Sequence, residues 1–189
     1  MDLSHRLQGR TIIVTGAGSG IGRGTALRLA REGAYVAALD VVPDGLEGLA
    51  DEVGPTASVG QVVTGPVDIS SEDSVKAAIA SVTDARGGLD AVVNAAAVHY
   101  GDHTHEMSLE RWNRLLSVNL TGTFLMTRET IPALLASEHG GVIVNFSSTS
   151  AYFAHPYMAA YSATKGAIMS FTHAIALEYA DRGLRAVSV

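Results

Sequence analysis

The β-branched run Thr11-Ile-Ile-Val-Thr15 breaks into Gly16-Ala-Gly-Ser-Gly20-Ile-Gly22 and then into a helical pattern, and this junction constrains the fold more than any other stretch. Consecutive apolar β-branched residues, without alternation, suit a strand buried on both faces. Glycines allow the backbone to turn tightly. Beyond them Ile21, Ala26, Leu27, Leu29 and Ala30 recur at helical spacing until Glu32-Gly33. A strand buried on both sides, feeding a helix through a tight turn, belongs in a sheet with helices on each face.

The rest of the chain repeats this alternation. Tyr35 to Leu39 reads as a second strand closing on Asp40, Gly45 to Val53 as a weak helix, and Val59 to Thr64 as a third strand. Ser71 caps a helix to about Arg86, with Glu72 and Asp73 in its first turn. Leu89 to Val93 forms strand four, ending at Asn94. After a polar loop, Leu109 to about Ala136 reads as one long helix with Trp112, Leu115, Leu116, Leu120, Phe124 and Leu125 as its apolar stripe. Gly141 to Phe146 is strand five, Tyr161 to Ala180 a helix, and Leu184 to Val189 a sixth strand. Strictly alternating strands and helices predict an α/β, doubly wound parallel sheet. No linker, repeat or low-complexity tract interrupts residues 1–189, so a single domain is expected.

Composition narrows the function. With 19 acidic against 13 basic residues, net charge −6, nucleic acid is not expected as a partner. The chain has no cysteine, which removes disulfides, thiol catalysis and thiolate-bound metals. The start has no signal-peptide shape and no apolar run is long enough to span a membrane, so a cytoplasmic protein is expected.

Several residues carry chemistry. The glycine turn does not match Gly-x-Gly-x-x-Gly, but between strand and helix it has the same physical use: backbone N–H groups can approach a pyrophosphate placed at a helix amino terminus. Asp40 follows Gly22 by 18 residues at the end of strand two. A carboxylate there accepts the adenosine ribose hydroxyls and repels a 2′-phosphate. Val41 and Val42 are neutral, and Ser19 brings no cation to the turn, so NAD is favoured over NADP. Otherwise Asp40 is an exposed turn residue. Tyr161 and Lys165, four apart on a helix, share one face. A phenol with an unperturbed pKa of about 10 becomes a useful acid/base when a fixed cation favours its anion. Ser148, ending strand five, either bonds a substrate carbonyl or caps a turn. Asn119, in an apolar stripe, is either a structural bridge or part of a proton path. His103-Thr-His105-Glu106 reads as a polar loop and not as a metal site, for want of a third ligand.

Together, Thr15-Gly-Ala-Gly-Ser-Gly-Ile-Gly22, Asp68-Ile69, Asn94-Ala-Ala-Ala97, Asn119, Ser148 and Tyr161-Ser-Ala-Thr-Lys165 resemble the short-chain dehydrogenase/reductase family, in its smaller single-domain branch. The resemblance runs through essentially the whole chain in order. It implies a Rossmann-type strand order 3-2-1-4-5-6, Tyr161 as general acid/base, and Lys165 holding the nicotinamide ribose while lowering the tyrosine pKa. It further implies that Ser148 orients the substrate oxygen and that Asn119 fixes a proton-relaying water. Gly16, Ser19, Gly20, Ile21 and Gly22 would bind the phosphates, Asp68 and Ile69 flank the adenine, and Asn94 and Ala95 sit beside the cofactor. Two departures stand out. Ala95 and Ala97 replace the second and fourth members of the usual Asn-Asn-Ala-Gly, and the family's seventh strand is absent from this sequence, so an incomplete carboxyl-terminal part is expected.

These readings converge on an oxidoreductase that moves hydride between NAD and a secondary alcohol or ketone, as a homodimer or homotetramer. The alternatives are a catalytically silent NAD-binding module, or a structural use of the fold.

Overall fold

A computed structural model describes residues 5–54 and 60–189. Six parallel strands form one sheet in the order β3-β2-β1-β4-β5-β6. They are β1 Thr11–Thr15, β2 Tyr35–Asp40, β3 Gln61–Pro66, β4 Ala91–Asn94, β5 Val142–Asn145 and β6 Arg185–Ser188. Between them run helices α1 Gly20–Arg31, α2 Leu49–Val53, α3 Glu72–Arg86, α4 Leu109–Leu115, α5 Thr123–Leu135 and α6 Ala159–Glu178.

The central strands explain their own composition. Along β1, Ile13 packs into the layer holding Val75, Ile79, Leu125, Met126 and Ile143. Its neighbours Ile12 and Val14 pack into the opposite layer with Ala26, Ala30, Leu49 and Val53. β4 divides likewise, Val92 to the first layer and Val93 to the second. With both faces buried there is no solvent side for polar residues, hence the absence of alternation.

Three elements differ from the sequence reading. The helix expected over Gly45 to Val53 is a 3-10 turn, Pro43–Leu46, followed by α2 from Leu49. Gly48 separates them with φ +66°, a left-handed conformation that ends any continuous helix. β3 begins at Gln61; Val59, its expected start, lies outside the described residues. The long helix from Leu109 contains a π-helical segment, Leu116–Gly122, between α4 and α5. The wider π turn shifts the helical phase, which a single 3.6-residue period cannot follow. The expected stripe therefore splits: Leu115 and Leu125 are buried, while Trp112 and Phe124 are 37% and 40% exposed. Val118, Asn119, Gly122 and Met126 take the inward positions.

Polar residues tie the sheet to its helices. Asn94 on β4 donates Nδ2 to Asn145 Oδ1 at 2.9 Å, and Asn145 donates to Thr172 Oγ1 of α6 at 2.9 Å. Ser71 caps α3 as expected, accepting from the Ser74 N–H. Among the described residues no helix is long and apolar enough to cross a membrane.

Candidate active site

A cavity of about 530 Å³ opens along the carboxyl ends of β1, β2, β4 and β5, where an open α/β sheet binds ligands. Its first wall is the glycine turn. A Cβ on Gly22 would lie 2.1 Å from Gly16 O, so only glycine lets α1 start directly against the end of β1. Gly16 has φ +68°, and a Cβ there would strike the Ala96 backbone at 2.7 Å. Ser19 makes no side-chain cap and the first turn of α1 holds no acid. The orphan N–H groups of this helix end thus meet no internal acceptor from its own cap, and Gly16, Ser19, Gly20, Ile21 and Gly22 all line the cavity.

Asp40 stands beside this turn. Its Oδ2 accepts from Gly18 N at 2.9 Å and its Oδ1 from Val42 N at 3.0 Å. Each oxygen keeps a lone pair for another donor. Asp40 therefore braces the loop and also faces the cavity, with Val41 and Val42 beside it. Asp68 and Ile69 line the neighbouring wall. The Ser70 hydroxyl donates to Asp68 Oδ1 at 2.6 Å and holds its carboxyl below the ordinary range, helped by the Ser70 N–H and by Arg114.

At the other end lie Ala95, Phe146, Ser147, Tyr161 and Lys165. Lys165 is 4% exposed, with its Nζ 5.5 Å from the centroid of the Tyr161 ring. The ammonium donates to Phe146 O at 2.7 Å and not to a carboxylate. Burial without an anionic partner pulls its pKa down to about 8.

The expected residues are not all on this wall. Asn94 is buried and its amide goes inward to Asn145. Ser148 accepts from Ser150 N at 3.1 Å, capping the turn Thr149–Ala151, which leaves its own proton free to donate elsewhere. Asn119, 1% exposed, clamps Val98: its Oδ1 accepts from Val98 N at 2.8 Å, and Nδ2 donates to Val98 O at 2.9 Å and Thr164 Oγ1 at 3.3 Å. Conversely, Arg114, Val118 and His99 line the cavity without having been singled out. Arg114 on α4 and Val118 on the π segment both reach the cavity, a pairing that a single 3.6-residue stripe conceals. Among the described residues no group of three or more His, Cys, Asp or Glu could hold a metal. His103 instead stands edge-on to Tyr157, ring centroids 4.8 Å apart.

Fold and cavity define a doubly wound α/β protein with a ligand-sized crevice at the carboxyl edge of its parallel sheet. The chain belongs to the short chain dehydrogenase family, whose model matches residues 10–189. It is 38% identical to the uncharacterized oxidoreductase YxbG of Bacillus subtilis, over 97% of this chain and 66% of that protein. It is 36% identical to 2-(S)-hydroxypropyl-CoM dehydrogenase 3 of Xanthobacter autotrophicus, over 99% of this chain and 72% of that one. Among solved structures, 3-ketoacyl-(acyl-carrier-protein) reductase from Brucella melitensis, complexed with NADH, superposes with TM-score 0.88 at 36% identity. That match covers 96% of this chain and 74% of the reductase. The chain thus spans about two thirds to three quarters of the length of these proteins.

The buried cation makes a stability prediction. In the native state Lys165 titrates near 8, against 10.5 for the ordinary side chain. Below pH 8 both states are protonated and the native state carries the full desolvation cost, about 3 kcal/mol at about 1.4 kcal/mol per pKa unit. Between 8 and 10.5 the native state loses its proton first, so this cost disappears as pH rises. Lys165→Met, which also gives up the bond to Phe146 O, is expected to be about 2 kcal/mol more stable than wild type at pH 7 in urea denaturation. That advantage should disappear by pH 10.

Proposed function

We propose that this chain is one dinucleotide-binding catalytic domain that binds NAD and interconverts a secondary alcohol and its ketone. One observation supports this above others: a single cavity holds the uncapped start of α1 and Asp40 at one end and the Tyr161–Lys165 pair at the other. The residues suit a dinucleotide. The N–H groups of the glycine turn and the helix end receive the pyrophosphate, and the lone pairs left on Asp40 receive the adenosine ribose. Asp68 and Ile69 flank the base. NAD, when bound, accepts or returns the hydride.

The protein's part is the proton and the geometry. Tyr161 takes the proton from the substrate hydroxyl during oxidation and returns it during reduction. The Lys165 charge beside its ring stabilises the phenolate formed meanwhile, in a buried setting where Coulomb terms are screened less than in water. Ser148, its oxygen already committed to the Ser150 N–H, donates its proton to the substrate oxygen. Asn119 clamps Val98 and donates to Thr164 Oγ1, whose hydroxyl in turn donates to Tyr161 O and fixes the backbone of the acid/base residue. The 2-(S)-hydroxypropyl-CoM dehydrogenase carries a secondary alcohol in its name, which supports that substrate class here. NAD is preferred to NADP because Asp40 would repel a 2′-phosphate. The half-exposed Trp112 and Phe124, with Phe171 packed against Phe124 at 6.3 Å, support a homodimer or homotetramer through α4, α5 and α6.

Three measurements check this reading. Tyr161→Phe is expected to cut turnover, followed at the reduced-nicotinamide absorbance, by two or more orders of magnitude on the scale of a lost proton-transfer step, while NAD affinity changes little. An active Tyr161→Phe enzyme contradicts the assignment, and NAD binding without wild-type turnover would mark the silent module instead. Asp40→Ala is expected to weaken NAD binding and narrow the gap to NADP; a wild type that prefers NADP contradicts the role given to Asp40. Light scattering at micromolar concentration should return at least a dimer mass, and a monomer would remove the assembly.

A further inference from the structure

The end of the cavity beside α6 carries four polar side chains: His99, Ser147, Tyr161 and Lys165. Two are already engaged by the protein, Ser147 through its one proton and Lys165 through one of its three N–H groups. The Ser147 hydroxyl donates to Lys165 O at 3.0 Å, and Lys165 Nζ donates to Phe146 O at 2.7 Å. With the remaining Lys165 charge given to the phenol, the Tyr161 hydroxyl and the imidazole of His99 are the two of these four that meet a substrate, beside the Ser148 proton assigned to its reacting oxygen.

His99 is held in place from three directions. Its ring stands edge-to-face on Tyr161, with centroids 5.2 Å apart and planes 80° apart. On the far side its Nε2 lies 2.9 Å from Met158 Sδ. Its backbone follows Val98, whose N–H and C=O are both clamped by the buried Asn119 amide. A thioether sulfur is a weak acceptor, so the Met158 contact orients the imidazole without satisfying it, and a hydroxyl or carbonyl oxygen is the better partner. Around it the lining is apolar, with Ala97, Val98 and Phe146. A polar ring so placed has one distinctive use, because the apolar lining accepts a plain or an oxygenated substrate with little preference.

We propose that His99 determines specificity by hydrogen-bonding a second oxygen of the substrate, one carbon from the oxygen held at Tyr161. The substrate class is then a vicinal diol or α-hydroxy ketone in preference to a simple secondary alcohol. His99 and Tyr161 line the same cavity with their rings in edge contact, so adjacent atoms of one substrate can meet both. This inference rests on the reading of Tyr161 as the residue that meets the substrate oxygen.

The test compares trans-cyclohexane-1,2-diol with cyclohexanol on wild type, His99→Phe and His99→Gln, using the full chain with NAD. His99→Phe keeps a ring against Tyr161 but removes both nitrogens; His99→Gln keeps a hydrogen-bonding group but removes the ring. The expected result is that His99→Phe raises KM for the diol about tenfold, the worth of one hydrogen bond. Cyclohexanol KM and both kcat values should stay within about threefold of wild type on the same scale, and His99→Gln should restore most of the diol preference. Calorimetric titration of the diol into the chain with NADH gives the same comparison without turnover. Equal losses for both substrates, no loss for either, or no diol binding by wild type would overturn the role of His99. Turnover of both alcohols without discrimination removes His99 and leaves Tyr161 standing. Diol binding that depends on His99, with no turnover of either alcohol, does the reverse.

Discussion

The contact on which the site depends is the backbone approach of Gly22 to the Gly16 carbonyl. No side chain fits between them, so α1 begins at the very end of β1 and its amino terminus is fixed over the carboxyl edge of the sheet. Everything at that end of the cavity follows from this. The helix end is left without a side-chain cap, the turn crowds the Ala96 backbone, and the Gly18 N–H is delivered to Asp40. Asp40 in turn joins β2 to the turn, so the carboxylate we assign to the ribose is also the brace that shapes the loop around it.

The far end depends on a different physical choice. Lys165 is buried with only a carbonyl for company, and burial lowers the affinity of its amine for the proton. A stability-driven sequence would place an apolar residue there. A cation next to a phenol, with Ser147 and Phe146 holding its backbone and its charge, is instead the kind of strain that active sites carry. The hydrogen-bonded chain Asn94–Asn145–Thr172 and the Asn119–Val98 clamp supply the rigidity that holds Tyr161 against it.

Much of this was legible in the sequence, for reasons that can be named. The unalternating strands, the glycine turn and the position of Asp40 obey local rules that the fold does not override, and parallel order follows from the alternation of elements. The Tyr161–Lys165 spacing survives because α6 is regular. The long helix was misread because the π segment at Leu116–Gly122 is a tertiary accommodation, invisible to a fixed period, and with the phase went Arg114 and the exposure of Trp112 and Phe124. Ser148 and Asn94 show the other limit. Position at a strand end places a residue near the site, but whether its side chain turns to the cavity, into a cap or into the core depends on neighbours that sequence does not reveal, here Ser150 and Asn145. His99 lies in the polar loop that follows β4, and only its contacts with Tyr161 and Met158 distinguish it from the other histidines nearby.

The central claim is that the cavity built on the Gly16–Gly22 contact receives a nicotinamide dinucleotide. Calorimetric titration of NADH into the wild-type chain and into Gly22→Ala, both first verified as folded by circular dichroism, tests it most directly. The account predicts one NADH per wild-type chain and no measurable binding to a folded Gly22→Ala. Undiminished binding to the folded variant, or no binding to wild type, would contradict it.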